Sequence, residues 1–320
     1  MNLKKALTVM KRYSGRKALP ICDYLLLEKG KLTSTNLDMF VEYKVPFEGE
    51  GLIPVEQFKK IADKNSITDI SFEDETVKIT TDKGVFSLHS PLSELDFPFA
   101  YADFDVSFSF TIDKEIKGLK HFTGADELNL KLAGLYFDDG NVVATDAHKL
   151  KWLNRDVKGN KIVSREIYNL PEGEYMVSFG KEYAKFEIDG MAFIFRLIDA
   201  TFPNYKAVIP NEEENSIHFT ASRRELIEQL ENCLIAIEDG VNVVEISTAG
   251  TLRSKERNGN GTYEGKVSTS HNEAMKVCFS IDHLLQVLKT ASEDKITFKL
   301  RDEVRAVLIN DDTLIMPVKY

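Results

Sequence analysis

Three turn glycines in this chain fall at one interval. Gly30, Gly140 and Gly250 stand 110 residues apart, and each closes the same local pattern. DYLLLEKGKLTSTN (23–36), LYFDDGNVVATD (135–146) and VEISTAGTLRSKE (244–256) each read as a strand, a tight turn and a second strand. Glycine is common in such turns because it accepts positive φ without a Cβ clash. Two equal intervals with similar flanks constrain far more: a repeat of this length is one supersecondary unit used three times. LSELDFP (92–98) and LIDATFP (197–203) recur in the same way, each closing a unit with an acidic turn and Phe-Pro.

A helix is predicted at the start of each unit. The first is LKKALTVMKRY (3–13), and the second is DKEIKGLKHF (113–122), with Ile116, Leu119 and Phe122 on one face. The third, SRRELIEQLENCLIAI (222–237), opens with a Ser-x-x-Glu capping box from Ser222 to Glu225. A second helix follows in units one and three. PVEQFKKIADK (54–64) aligns Val55, Phe58, Ile61 and Ala62, and IDHLLQVLKTAS (281–292) aligns Ile281, Leu284, Leu285 and Leu288. In unit two this helix shrinks to about SREIYNL (164–170). Short alternating segments fill the rest, with hairpin signals such as FEIDGMAFIF around Asp189-Gly190. The expectation is an α+β fold of three tandem domains, 1–103, 104–210 and 211–320. Each has antiparallel sheets with two helices on one side.

Composition bounds the function. No run of 18 apolar residues exists, so no helix spans a membrane. The N-terminus lacks an apolar core before a small-residue cleavage site, which predicts a cytoplasmic chain. Cys22, Cys233 and Cys278 are isolated and read as reduced thiols. The net charge is −10, yet the first 22 residues carry Lys4, Lys5, Lys11, Arg12, Arg16 and Lys17 and no acid. Lys114, Lys117 and Lys120 repeat this on the opening helix of unit two, and Lys59, Lys60 and Lys64 on the second helix of unit one. An acidic protein that gathers its cations on helices can hold a polyanion at one surface and repel it elsewhere. No base-reading element accompanies them, so the expected contact is with phosphates, independent of sequence.

NVVATDAHKL (141–150) raises the question of chemistry, since Asp146 and His148 are two residues apart. A metal would need more ligands, and no His or Cys stands at ligand spacing nearby. A Ser-His-Asp triad would need a nucleophile elbow, and no GxSxG occurs. His89, His121, His218, His271 and His283 are scattered singly. The expectation is a non-catalytic protein without metal or cofactor.

Four segments in chain order carry a family resemblance: GRKALPI (15–21), VATDAHKL (143–150), FPNYKAVIP (202–210) and LIMPVKY (314–320). They resemble the Gly-Arg-x-x-Leu-Pro-Ile loop, the Val-Ala-Thr-Asp-Gly-His-Arg-Leu motif, the Phe-Pro-Asp-Tyr-Arg segment and the Met-Pro-Met-Arg-Leu terminus of the bacterial DNA polymerase III beta subunit, the replicative sliding clamp. The resemblance implies a DNA clamp fold, with two chains closing head to tail around double-stranded DNA and helices lining the hole. It implies a hydrophobic pocket that takes Leu/Phe-containing peptides from DNA polymerase, the clamp loader and repair proteins. Carried over, that pocket is Leu132, Thr145, Ala147, His148, Lys149, Leu150, Pro203, Val208, Leu314, Met316, Pro317 and Val318, with Lys319 at its rim. Arg16 would contact DNA.

The chain departs from the pattern in places. It begins almost at the first helix, and Ala147, Lys149, Ala207 and Tyr320 replace Gly, Arg, Arg and Leu. Lys lacks the planar fork of Arg. Two other readings are a clamp-fold peptide-binding scaffold that closes no ring on DNA, and a clamp-shaped DNA-processing enzyme. The second needs clustered carboxylates, whereas the acids here are dispersed.

Overall fold

The structure, a computed structural model, describes residues 2–14, 19–91, 96–98, 103–125, 129–211, 217–237, 242–255, 261–270 and 275–319. Arg16, the start of LSELDFP, His271 and Tyr320 lie outside them. The chain forms two compact units. One comprises Met1–Ile112, Val157–Gly159 and Pro171–Ile198; the other comprises Asp113–Asp156, Asn160–Leu170 and Asp199–Tyr320.

In the first unit eight strands make one antiparallel path. Its order is Gly51–Pro54, Tyr24–Glu28, Lys31–Thr35, Met39–Lys44, Met191–Ile198, Tyr183–Ile188, Gly173–Gly180 and Phe104–Ile112. A separate three-stranded sheet follows the order Ile67–Glu73, Thr76–Thr81, Gly84–His89. Helix α1 (Leu3–Arg12) packs on α2 (Val55–Lys64). Their apolar stripes bury Ala6, Leu7 and Met10 on α1 and Val55, Phe58, Ile61 and Ala62 on α2. Asn2 caps α1 by accepting the Lys5 N–H at 3.0 Å, as short polar side chains do at helix starts. Tyr13 closes the helix against the sheet, with its ring edge-on to Phe193 at 6.0 Å.

The second unit repeats this plan. Its main antiparallel path runs Ile217–Ser222, Lys295–Leu300, Val307–Ile309, Thr313–Ile315, Lys149–Asn154, Asn141–Thr145, Gly134–Asp138 and Asn160–Ser164. A four-stranded sheet has the order Glu264–Lys266, Thr251–Lys255, Val243–Ser247, Lys276–Ser280. Helix α3 (Lys114–Gly118) passes into a 3-10 turn at Leu119–His121, while α4 (Arg223–Ile235) and α5 (Ile281–Thr290) pack on each other. Phe219 and Phe298 stack between facing strands at 4.6 Å, and both rings are fully buried.

The three hairpins expected from the repeat are present, and their glycines sit at φ 69°, 83° and 93°. The paired strands of the middle hairpin bury nearly every residue of GLYFD and NVVAT. They therefore read as continuous apolar runs and not as alternation. Two local readings differ. Ser222 accepts the Glu225 N–H, but the Glu225 carboxylate turns away and accepts the Ser268 N–H at 3.0 Å, so the capping box is only half made. SREIYNL forms a 3-10 segment, Arg165–Asn169, where the other units carry a full helix. The compact units also do not follow the repeat boundaries, because strands of 104–210 are divided between them.

Gly134 marks a tight approach. A Cβ there would lie 2.3 Å from the Val163 carbonyl oxygen and 2.8 Å from Ile162 Cγ2. Gly134→Ala should lower stability by about 1–3 kcal/mol, read as a lower urea midpoint by circular dichroism.

Candidate functional site

The turn between strands Asn141–Thr145 and Lys149–Asn154 is held by its own side chains. Asp146 Oδ1 accepts the N–H groups of His148 and Lys149, both at 2.9 Å. Thr145 Oγ1 donates to the Lys149 carbonyl at 2.8 Å and accepts the Ala147 N–H at 3.1 Å. This Asx-type geometry forces a left-handed residue, Ala147, at φ 74°. The Lys149 side chain is 3% exposed, and its ammonium pairs with the Asp146 carboxylate and lies 6.0 Å from the Phe122 ring centroid. Asp146 is thus a turn cap and the counter-ion of a buried lysine.

Two further segments meet this turn. Strand Thr313–Ile315 pairs with Lys149–Asn154, setting Leu150 opposite Leu314. The Met316 N–H then donates to the His148 carbonyl at 2.8 Å. Lys151 reinforces the pairing through Asp312 at 2.6 Å and Thr313 at 3.1 Å. On the other side, Phe202 stacks on Tyr136 at 4.3 Å, and the Tyr205 hydroxyl donates to Asp138 at 2.8 Å. Burial alone would raise the Asp138 carboxyl, but hydrogen bonds from Lys206 and Tyr205 hold it below its ordinary value. Burial and the same carboxylate push the Tyr205 phenol far up, which keeps it a donor.

Between these segments lies a cavity of about 300 Å³. Leu132, Thr145, Ala147, His148, Lys149, Leu150, Pro203, Val208, Leu314 and Met316 line it, together with Asn129, Lys131, Asn204, Tyr205 and Ala306. Val208 and Met316 are exposed at its edge. An apolar hollow with exposed apolar side chains at its mouth has the form of a docking site. Pro317, Val318 and Lys319 are not in the wall. The chain turns away after Met316, because the Val318 N–H donates to the Cys278 carbonyl at 2.8 Å on strand Lys276–Ser280.

Comparison with known proteins bears on the fold. No family model matches the chain. It is 24% identical over 348 residues to the beta sliding clamp of Vibrio cholerae, covering 95% of this chain and 94% of that protein. The DNA polymerase III subunit beta structure from Pseudomonas aeruginosa superposes with a TM-score of 0.82 at 20% identity, covering 99% of this chain and 98% of that one. The DnaN sliding clamp of Bartonella birtlesii, solved bound to griselimycin, gives 0.80 at 23%, with 99% and 97% covered. The chain thus has the DNA clamp fold and is similar to beta sliding clamps over nearly its whole length.

Most of the basic residues singled out in the first unit are exposed, Lys59 being half-buried, and several are partly answered. Lys11 pairs with Glu56 at 2.6 Å and Lys59 with Asp63 at 2.7 Å, while Lys4 donates to the Asp63 carbonyl. Lys5, Arg12, Lys60 and Lys64 also lie exposed on α1 and α2. In the second unit Lys114 and Lys120 are exposed and Lys117 is half-buried. Among the described residues no three His, Cys, Asp or Glu side chains gather as a metal site. Tyr205 stood inside the quoted FPNYKAVIP, whereas Ala306, Asn129 and Lys131 carry no local signal and enter the cavity only through folding.

Removing one partner of a buried ion pair strands the other charge, at about 3–5 kcal/mol. Asp146→Ala should lose about that much stability, and adding Lys149→Met should recover much of it. Urea titration of the single and double variants checks the coupling.

Proposed function

We propose that the chain is a processivity clamp that encloses double-stranded DNA and tethers DNA polymerase, the clamp loader and repair proteins by short Leu/Phe-containing peptides. The observation that carries this is the cavity. Segments around residues 132, 145–150, 203–208 and 314–316 converge on one apolar hollow, and the resemblance assigns them to a peptide pocket. Burying two apolar anchors contributes about 1.5–3 kcal/mol each, and association entropy takes back much of this. The capture is weak, as suits a surface whose partners exchange. No catalytic group, metal or cofactor enters this mechanism, and the site of action is the cytoplasm.

The clamp is a head-to-tail homodimer of three-domain chains with limits at 1–103, 104–210 and 211–320; the three related hairpins support this division. Support for the dimer comes from an open edge. Strand Gly84–His89 ends its sheet with Val85 60% and Phe86 39% exposed. In the other unit Ile235 is 81% exposed at the end of α4, and Glu264–Lys266 is an edge strand. An apolar free edge invites pairing with another chain. In the closed ring Lys4, Lys5, Lys11, Arg12, Arg16, Lys59, Lys60, Lys64, Lys114, Lys117 and Lys120 face DNA. They give loose, salt-sensitive contact while topology supplies retention, and tethering raises the polymerase's effective concentration.

Light scattering across a dilution series should give a molar mass near twice 36.3 kDa, and Phe86→Glu should shift it toward the monomer. A monomer at every concentration would leave the peptide-binding scaffold as the better account. Neutralising Lys59, Lys60, Lys114 and Lys117 together should shorten retention on circular DNA and spare peptide binding. Deleting residues 316–320 should do the reverse.

A further inference from the structure

The tail side of the cavity holds a group of bases that peptide burial does not require. His148 and His283 stack with ring centroids 5.1 Å apart and planes inclined by 28°. His148 belongs to the turn that lines the cavity, and His283 lies in the first turn of α5, where Ser280 accepts its backbone N–H. Lys149, buried beside them, keeps its ammonium on Asp146. The charged groups that bear on His283 are Lys149, Asp146 and His148 from the turn, and Asp282 from α5 itself. Lys149 also bears on His121, from the 3-10 turn Leu119–His121. Asp146 and Asp282 are thus the two carboxylates that bear on His283, and Asp146 is already paired with Lys149.

We propose that the His148–His283 stack makes peptide capture by this cavity pH-sensitive, with protonation of His283 against its stacked partner loosening the wall and releasing the peptide. This rests on the peptide reading above. A neutral His283 ring tolerates the stack, whereas an imidazolium there is repelled by the buried Lys149 ammonium beside it. The movement has a direct path to the cavity: the His148 carbonyl holds the Met316 N–H at 2.8 Å, and Met316 is itself a wall residue. Displacing His148 therefore displaces the tail.

The sign follows from the environment of His283. Burial, then the Lys149 ammonium, hold its imidazole below the ordinary 6.5, against a smaller opposing pull from Asp146. An unfolded or opened state takes up its proton near 6.5, and the closed state does so only at lower pH. The closed wall is thus fully favoured above that value and loses ground as pH falls below it.

The test is fluorescence polarisation with full-length protein and a fluorescein-labelled acetyl-Ala-Leu-Ala-Leu-Phe amide, at pH 7.5 and 5.5. Wild type should bind roughly fivefold to tenfold more weakly at the lower pH. His283→Phe keeps a flat ring against His148, and it should match wild type at pH 7.5 and lose less than about twofold on acidification. His283→Gln, with the same expectation, serves if the phenylalanine variant does not fold. Equal losses in wild type and variant would overturn the switch, as would an unchanged wild-type affinity. No binding at pH 7.5 would overturn the peptide reading itself and the switch with it. Imidazole proton NMR of wild type adds a readout without peptide: the His283 ring should titrate below the ordinary 6.5, and titration at or above that value would also count against the switch.

Discussion

The pairing of Thr313–Ile315 with Lys149–Asn154 is the contact on which the cavity depends. It joins residues 162 positions apart, as Lys151 and Thr313 show by their hydrogen bond. Without it Leu314 and Met316 would have no reason to face Leu150 and His148. The pairing presupposes the turn before it, where Asp146 gathers two backbone N–H groups and the Lys149 ammonium. A turn that ties up its own polar groups leaves its outer surface apolar, and that surface is available as a wall.

Charge works on a larger scale. A chain with net charge −10 is repelled by a polyanion at most orientations. Cations concentrated on α1, α2 and α3 offset this locally, yet Glu56 and Asp63 keep part of the α1–α2 surface neutral. A surface of that kind suits passing contact with phosphates more than tight binding. In the proposed ring, enclosure supplies the retention, since holding by topology does not require adhesion.

Much of the architecture was legible before any coordinates. Equal spacing of Gly30, Gly140 and Gly250 announced the repeated hairpin, because positive φ in a tight turn leaves few alternatives to glycine. Apolar faces located α1, α2, α3 and α5, since the 3.6-residue period is a local property of the chain, and Ser222 marked the start of α4. What escaped was decided by partners far along the sequence. Glu225 abandons its capping box because Ser268 offers a backbone N–H. Val318 leaves the cavity for the Cys278 carbonyl, and Ala306 enters it from a loop with no motif.

The Asp146 and His148 pair shows the division most plainly. Sequence alone determined that the two residues share one short motif between two strands of the repeated hairpin. It also determined the repeated hairpins, the helix faces and the family resemblance, because each depends on residues close together in the chain or on ordered short motifs. Only the tertiary structure decided that Asp146 neutralises a buried Lys149, that His148 stacks on His283, and that four distant segments enclose one hollow. Those outcomes depend on burial and on long-range strand pairing, and neither leaves a local periodicity to be read.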